Sequence, residues 1–233
     1  MNRELEKRNA ARAALNFVED GMTIGLGTGS TARHFIELLA EEIKEGLIIR
    51  AVPTSEETRD LAIEHHISLI DIEQVQQIHL TVDGADEANE VGDLIKGGGG
   101  ALLREKLIAN ASDHMVVIAD PSKYVSTLGA FPLPVEVIPF GFTLTAKKIF
   151  DVLEQNGIAR PKVELRQDEG EEGPFITDGG HYILDCHCSK IPDAPKLASQ
   201  LCAVPGVVEH GLFISMARTL IIGGEDGATI FEF

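Results

Sequence analysis

Over roughly its first half the chain alternates short apolar runs with stretches of helical periodicity, and no other feature restricts the fold as much. The runs MTIGLG (22 to 27), LIIRAV (47 to 52), ISLI (67 to 70), IHLTVD (78 to 83) and MVVIAD (115 to 120) have strand length, and turn or helix signals follow each. Between the first two, STARHFIELLAEEIKEG sets Phe35, Ile36, Leu38, Leu39 and Ile43 on one helical stripe, with Gly46 placed as a C-terminal cap. Thr54 and Glu57 have capping-box spacing and open another helix, and a third is expected from about Ala101 to Ala109. Strands and helices alternating in this way form a mostly parallel, open, Rossmann-like sheet covered on both faces, an α/β fold.

The pattern changes at FPLPVEVIPFG, where three prolines within 131 to 139 mark a boundary. Beyond it the order is strand (134 to 138), helix (TLTAKKIFDVLEQNG), strand (PKVELR), strand (HYILDC), helix (DAPKLASQLCA) and strand (near VVEHGLF). This βαββαβ order predicts a smaller α+β domain of the split βαβ, ferredoxin-like type. QDEGEEGP (167 to 174) is expected as a solvated acidic loop, and TLIIGGEDGATIFEF as one or two strands rejoining the first domain. The expected domains are therefore residues 1–130 with 213–233, and residues 131–212.

Composition limits the function. A formal net charge of −17 argues against nucleic acid or an anionic membrane as partner, so any site for an anion needs local positive charge. No apolar run approaches the roughly 18 residues of a membrane span. MNRELEKRNAARAALNFVEDG reads as an amphipathic helix, not a signal peptide, so a cytoplasmic location is expected. The cysteines Cys186, Cys188 and Cys202 are too few for a disulfide framework. In HYILDCHCSK, Cys186 and Cys188 share one strand face and His187 points away, which does not close a metal site and predicts half-buried strand cysteines.

Three segments fall at the carboxyl ends of predicted strands, where open parallel sheets bind ligands. GLGTGST (25 to 31) lacks the third glycine of a dinucleotide fingerprint and the lysine of a Walker A loop. It suits a single phosphate through helix N-terminal amides and the Ser30 and Thr31 hydroxyls; the alternative is a tight turn in which one of these hydroxyls caps the helix. TVDGADEAN (81 to 89) crowds Asp83, Asp86 and Glu87 onto one turn, able to bind a divalent cation, to bond several hydroxyls, or merely to be solvated. LIKGGGGALLREK (94 to 106) sets Lys96 before Gly97 to Gly100 and then Glu105 about a turn into a helix. Glycines admit close approach of a ligand to backbone N–H groups, and a lysine with a carboxylate makes an acid/base pair.

Together the three segments resemble ribose-5-phosphate isomerase of the A type, a family with G-x-G-[ST]-G-S-T, D-G-A-D-E and K-G-G-G-[GA]-A-x-x-R-E-K in this order. The resemblance extends to ADPSKYVSTLGAFPLPVEVIP (119 to 139), ITDGGHYILD (176 to 185) and VPGVVEHGLF (204 to 213), with His181 where many members have asparagine. It implies an enzyme of the non-oxidative pentose phosphate pathway that interconverts D-ribose 5-phosphate and D-ribulose 5-phosphate through a cis-enediol, without metal or other cofactor. It also implies site roles: Glu105 as the base between C2 and C1, Asp83 and Asp86 on the hydroxyls and in ring opening, and Lys96 with the amides of Gly97, Gly98 and Gly99 on the enediolate. Thr28, Gly29, Ser30 and Thr31, with Gly84 and Ala85, would line the sugar-phosphate site, and Lys123 and Lys7 would add charge to the phosphate. A homodimer is expected. Two other classes compete: a coenzyme A transferase-like enzyme, separable by competition with a coenzyme A thioester, and a non-catalytic sugar-phosphate sensor, separable by turnover.

Overall fold

The computed structural model describes residues 2–168, 170 and 172–233. In chain order the elements are α1 (Arg3–Ala14), β1 (Thr23–Leu26), α2 (Ser30–Lys44), β2 (Arg50–Pro53), α3 (Glu56–Glu64), β3 (Ile78–Gly84), β4 (Glu87–Ala88), β5 (Leu94–Ile95), α4 (Leu102–Asn110) and β6 (Ser112–Ala119). They continue with β7 (Leu133–Val137), α5 (Phe142–Gln155), β8 (Lys162–Leu165), β9 (Tyr182–His187), α6 (Ala194–Cys202), β10 (Val207–His210), β11 (Leu212–Phe213), β12 (Thr219–Gly224) and β13 (Gly227–Glu232). The chain divides into two compact units, one of Met1–Ala85, Arg104–Tyr124 and Ser215–Phe233, the other of Asp86–Leu103 and Val125–Ile214.

The first unit is built on a six-stranded sheet of order β13-β12-β6-β3-β1-β2, parallel except for the terminal β12–β13 hairpin. Ile24, Leu26, Val82, Val116, Ile118 and Ile221 of the strands bury against Phe35, Ile36 and Leu39 of α2 and Ala10, Ala11 and Ala14 of α1. The stripe read in α2 is the face that packs. The alanines bring α1 very close to β12: a Cβ added to Gly223 would lie 1.8 Å from the Glu6 carbonyl oxygen.

Two details differ from the sequence reading. The cap of α3 is Ser55, whose hydroxyl accepts the Thr58 N–H at 3.0 Å, while Thr54 donates to the Leu26 carbonyl at 2.9 Å. ISLI forms no strand. It meets β2 in a single parallel bridge at Ala51, which donates its N–H to Ser68 and accepts that of Ile70, before Asp71 caps a 3₁₀ turn over Ile72–Gln74.

The second unit contains the ferredoxin-like sheet, fully antiparallel with order β10-β7-β9-β8. Leu133, Val135, Val137, Leu184 and Cys186 of that sheet share a core with Ile149 and Leu153 of α5 and Leu197 and Leu201 of α6. The strand expected near VVEHGLF is interrupted at Gly211, and its second part, β11, joins β5 and β4 in a three-stranded sheet. In the acidic stretch, Glu169 and Glu171 lie outside the described residues. Around them the Asp168 N–H donates to the Gly173 carbonyl at 3.0 Å, drawing the two arms together. Cys186 and Cys188 are buried and His187 is exposed, in line with strand alternation, though burial is more complete than expected. Among the described residues no helix is long and apolar enough to cross a membrane.

Candidate active site

In the first unit, β1, β3 and β6 are parallel neighbours, so the segments that follow them leave from one edge of the sheet. These are Gly27 to Thr31, Asp83 to Ala85 and Asp120 to Lys123. Glycines at 25 and 27 keep one face of β1 flat. A Cβ on Gly27 would lie 2.1 Å from Asp83 Oδ1, and one on Gly25 would lie 2.2 Å from Thr81 Oγ1 and 2.7 Å from Ile108 Cγ2. Asp83 is fully buried in the space this leaves, and its Oδ1 accepts the N–H groups of Thr28 (3.2 Å) and Gly84 (2.7 Å).

The Thr28 hydroxyl lies within 2.8 Å of the hydroxyls of Thr54 and Ser55 and 3.1 Å of that of Thr58, so this side chain locks the turn. Gly29, at φ 104°, is the N-cap of α2, and among the described residues no side chain caps the helix. The reading in which Ser30 or Thr31 caps it is therefore set aside. Both hydroxyls stand in the first turn, where backbone N–H groups lack intrahelical acceptors, an arrangement suited to an anion. Lys7 of α1 donates to Glu4 Oε1 at 2.8 Å, and Glu4 Oε2 lies 3.0 Å from His34 Nε2 of α2. Lys7 first, and then His34, holds the Glu4 carboxyl below its usual range. Lys123 ends a 3₁₀ turn capped by Asp120, whose Oδ1 accepts from the Ser122 N–H (2.9 Å) and hydroxyl (2.6 Å).

Glu105 is buried in the first turn of α4. Ile108, one turn later on the same helix face, rests against Gly25 and Thr81. Because α4 leads directly into β6, it runs antiparallel to the strands. Glu105 therefore lies one helical rise of about 5 Å nearer their carboxyl ends, toward the level of Gly27 and Asp83. Arg104 turns elsewhere and donates to Glu56 of α3 at 2.8 Å.

In the second unit Lys96 directly follows β5. Its N–H donates to Gly211 O at 2.8 Å, and its Nζ stands 5.5 Å from the ring centroid of Phe213, with the residue 2% exposed. Asp86 Oδ2 accepts the Gly98 N–H at 2.7 Å, and a Cβ on Gly98 would lie 2.6 Å from Asp86 Oδ1. Gly97 (φ 104°) and Gly100 (φ 83°) close a turn through a 3.0 Å bond from the Gly100 N–H to the Gly97 carbonyl. Within each unit, then, the structure gathers Thr28 with Asp83 and Gly84, and Lys96 with Asp86 and the glycine loop.

Glu87 does not extend the carboxylate cluster. Its two oxygens accept the N–H groups of Gly129 and Phe131, both at 2.6 Å, and so anchor the segment before β7. Arg166 was not singled out from the sequence. It donates to the carbonyls of Gly97 and Gly98, and a separation of 69 residues from Gly97 leaves no local motif to signal it.

Residues 50–227 match the family described as ribose 5-phosphate isomerase A (phosphoriboisomerase A). The chain is 54% identical over 227 residues to a ribose-5-phosphate isomerase A of Maricaulis maris, covering 97% of each, and 55% identical over 233 residues to one of Rhodopseudomonas palustris, covering 100% of this chain and 99% of the relative. A solved D-ribose-5-phosphate isomerase in complex with phospho-erythronic acid superposes with a TM-score of 0.92 at 41% identity, covering 100% of both chains. The ribose 5-phosphate isomerase A of Methanocaldococcus jannaschii gives 0.89 at 36% identity, covering 97% of this chain and 98% of that one.

Proposed function

The chain belongs to the ribose 5-phosphate isomerase A family, and on that footing we propose how its residues interconvert D-ribose 5-phosphate and D-ribulose 5-phosphate. Glu105 takes the proton from C2 of the open-chain aldose. The electron pair of that C–H bond becomes the C1–C2 double bond, and the aldehyde oxygen takes the negative charge. Lys96 and those glycine-loop amides not bonded to Asp86 lower the cost of that charge. Glu105 then returns the proton to C1 as the oxygen on C2 becomes the ketone carbonyl and its hydroxyl proton passes to the oxygen on C1. Asp83 and Asp86 accept from substrate hydroxyls and assist ring opening. Ser30 and Thr31, in the first turn of α2, receive the sugar phosphate together with Gly29, Gly84 and Ala85, and Lys123 and Lys7 add charge there. Phospho-erythronic acid, the ligand of the solved relative, carries a carboxylate on a phosphorylated chain and imitates the charge of an enediolate, so the same ligand class is proposed here.

The observation that supports the reading is the burial of Glu105, a dry carboxylate in the first turn of α4, the helix that leads into β6. Its test is Glu105→Gln, assayed with excess chelator. Turnover is expected to fall by at least about 10²- to 10⁴-fold, the usual worth of a general base, with substrate binding retained. Exchange of the C2 proton with solvent deuterium should fall in parallel. A variant with near-normal turnover would move the role to Asp83. We also propose a cytoplasmic homodimer.

A further inference from the structure

The loop Gly97 to Gly100 has no side chains to hold it, and four glycines carry the largest backbone freedom of any residues. Arg166, directly after β8 in the second unit, supplies the restraint. Its Nη1 donates to the carbonyl oxygens of Gly97 (2.9 Å) and Gly98 (3.0 Å). Its Nε and Nη2 donate to the two carboxylate oxygens of Asp185 at 2.9 and 2.5 Å, a bidentate pair that fixes the guanidinium plane. Phe175 closes the arrangement: its ring centroid is 5.9 Å from Arg166 Cζ, and a Cβ on Gly100 would lie 2.4 Å from the same ring. The Arg166 main chain is tied as well, its N–H to Ile183 and its carbonyl to the Phe175 N–H, both at 2.9 Å.

In a planar trans peptide the C=O and the following N–H point in opposite directions. Gly97 C=O shares its plane with the Gly98 N–H, and Gly98 C=O with the Gly99 N–H. A guanidinium that captures both carbonyls therefore turns both N–H groups to the opposite side of the loop. It also polarises the two peptides, which strengthens them as donors. The Gly98 N–H is the one bonded to Asp86 Oδ2, so the orientation of Asp86 is coupled to the same clamp.

We propose that Arg166, braced by Asp185 and Phe175, is a positioning residue for the isomerisation. It aims the Gly98 and Gly99 N–H groups, and through Gly98 the Asp86 carboxylate, without touching the substrate. The inference rests on the reading that this loop stabilises the enediolate.

The test compares Arg166→Gln, Arg166→Lys, Arg166→Ala and Asp185→Asn with the wild type. Misplacement by about 1 Å costs on the order of 10²-fold, so kcat should fall about 10- to 100-fold in Arg166→Gln while KM changes less than about threefold. Affinity for phospho-erythronate should fall in step with kcat/KM. Added guanidinium should recover part of the kcat of Arg166→Ala, because a cavity of about 550 Å³ borders Gly98, Gly99, Arg166 and Phe175. Arg166→Lys should be intermediate, since one ammonium does not reproduce the planar fork. A kcat within about twofold of wild type in both Arg166→Gln and Asp185→Asn would overturn the proposal. So would a loss that guanidinium does not relieve and that leaves phospho-erythronate affinity unchanged, the behaviour of a purely structural residue. If Arg166→Ala does not fold, Asp185→Asn decides on kcat and inhibitor affinity. Normal Arg166 variants beside an inactive Glu105→Gln sink this inference alone, whereas an active Glu105→Gln sinks the catalytic reading beneath it.

Discussion

Asp83 owes its place to what its neighbours lack. Only a residue without Cβ at position 27 leaves room for the carboxylate, and the N–H groups of Thr28 and Gly84 then bind it. Cysteine shows the same dependence on surroundings. Burial pushes the Cys186 thiol far up, and burial, with Glu87 adding a smaller effect, pushes Cys188 up to about 12. Cys202 is exposed. At pH 8 a thiol near 12 has about one part in 10⁴ as the reactive thiolate. A thiol reagent at that pH should therefore modify one cysteine per native chain and all three in denaturant. Fast reaction of two or three in the native protein would contradict the burial. His181 bonds through Nδ1 to buried Glu136 at 2.9 Å within the second unit.

Between elements, the contact of β6 with β12 includes a titratable group. His114 Nε2 lies 2.9 Å from Thr219 Oγ1, and its ring stands 5.8 Å from that of Phe17. Burial first, and the nearby Arg218 charge second, lowers its pKa below 6.5. As pH falls through the unfolded value, the unfolded chain takes up the proton first, so stability is lost from about 6.5 downward until the folded value is passed. Urea midpoints at pH 7.5 and 5.5 should show a smaller loss in His114→Gln than in the wild type; equal losses would remove His114 as a source. At this scale much of the fold was legible, because β1, β3, β6 and α2 combine length with clear periodicity. ISLI has the length of a strand without forming one, because an apolar run does not say whether a neighbour can pair with more than one of its residues. The two-residue strands β4, β5 and β11 are too short to show a period. Of the candidate site, the glycine-rich turns were legible because each is contiguous. The direction of Glu87 and the part played by Arg166 were not, since tertiary partners decide both.

For the whole molecule, the proposed homodimer needs an apolar surface, and the second unit has one around Ile138, Phe140 and Leu144, of which Phe140 is 90% exposed. Sedimentation equilibrium should give about twice the 25.2 kDa chain mass, and Phe140→Asp should lower it. A wild-type mass of one chain would dismiss the dimer. The packing of α1 on β12 has a further consequence, for the order in which the protein can be made. Helix α1 leaves the ribosome about two hundred residues before β12, the strand on which it is seated. At roughly 5 to 20 residues per second it waits on the order of ten to forty-five seconds before β12 can cover the side of the helix that faces Gly223. The ferredoxin-like sheet, complete once His210 has emerged, is free to form during that interval.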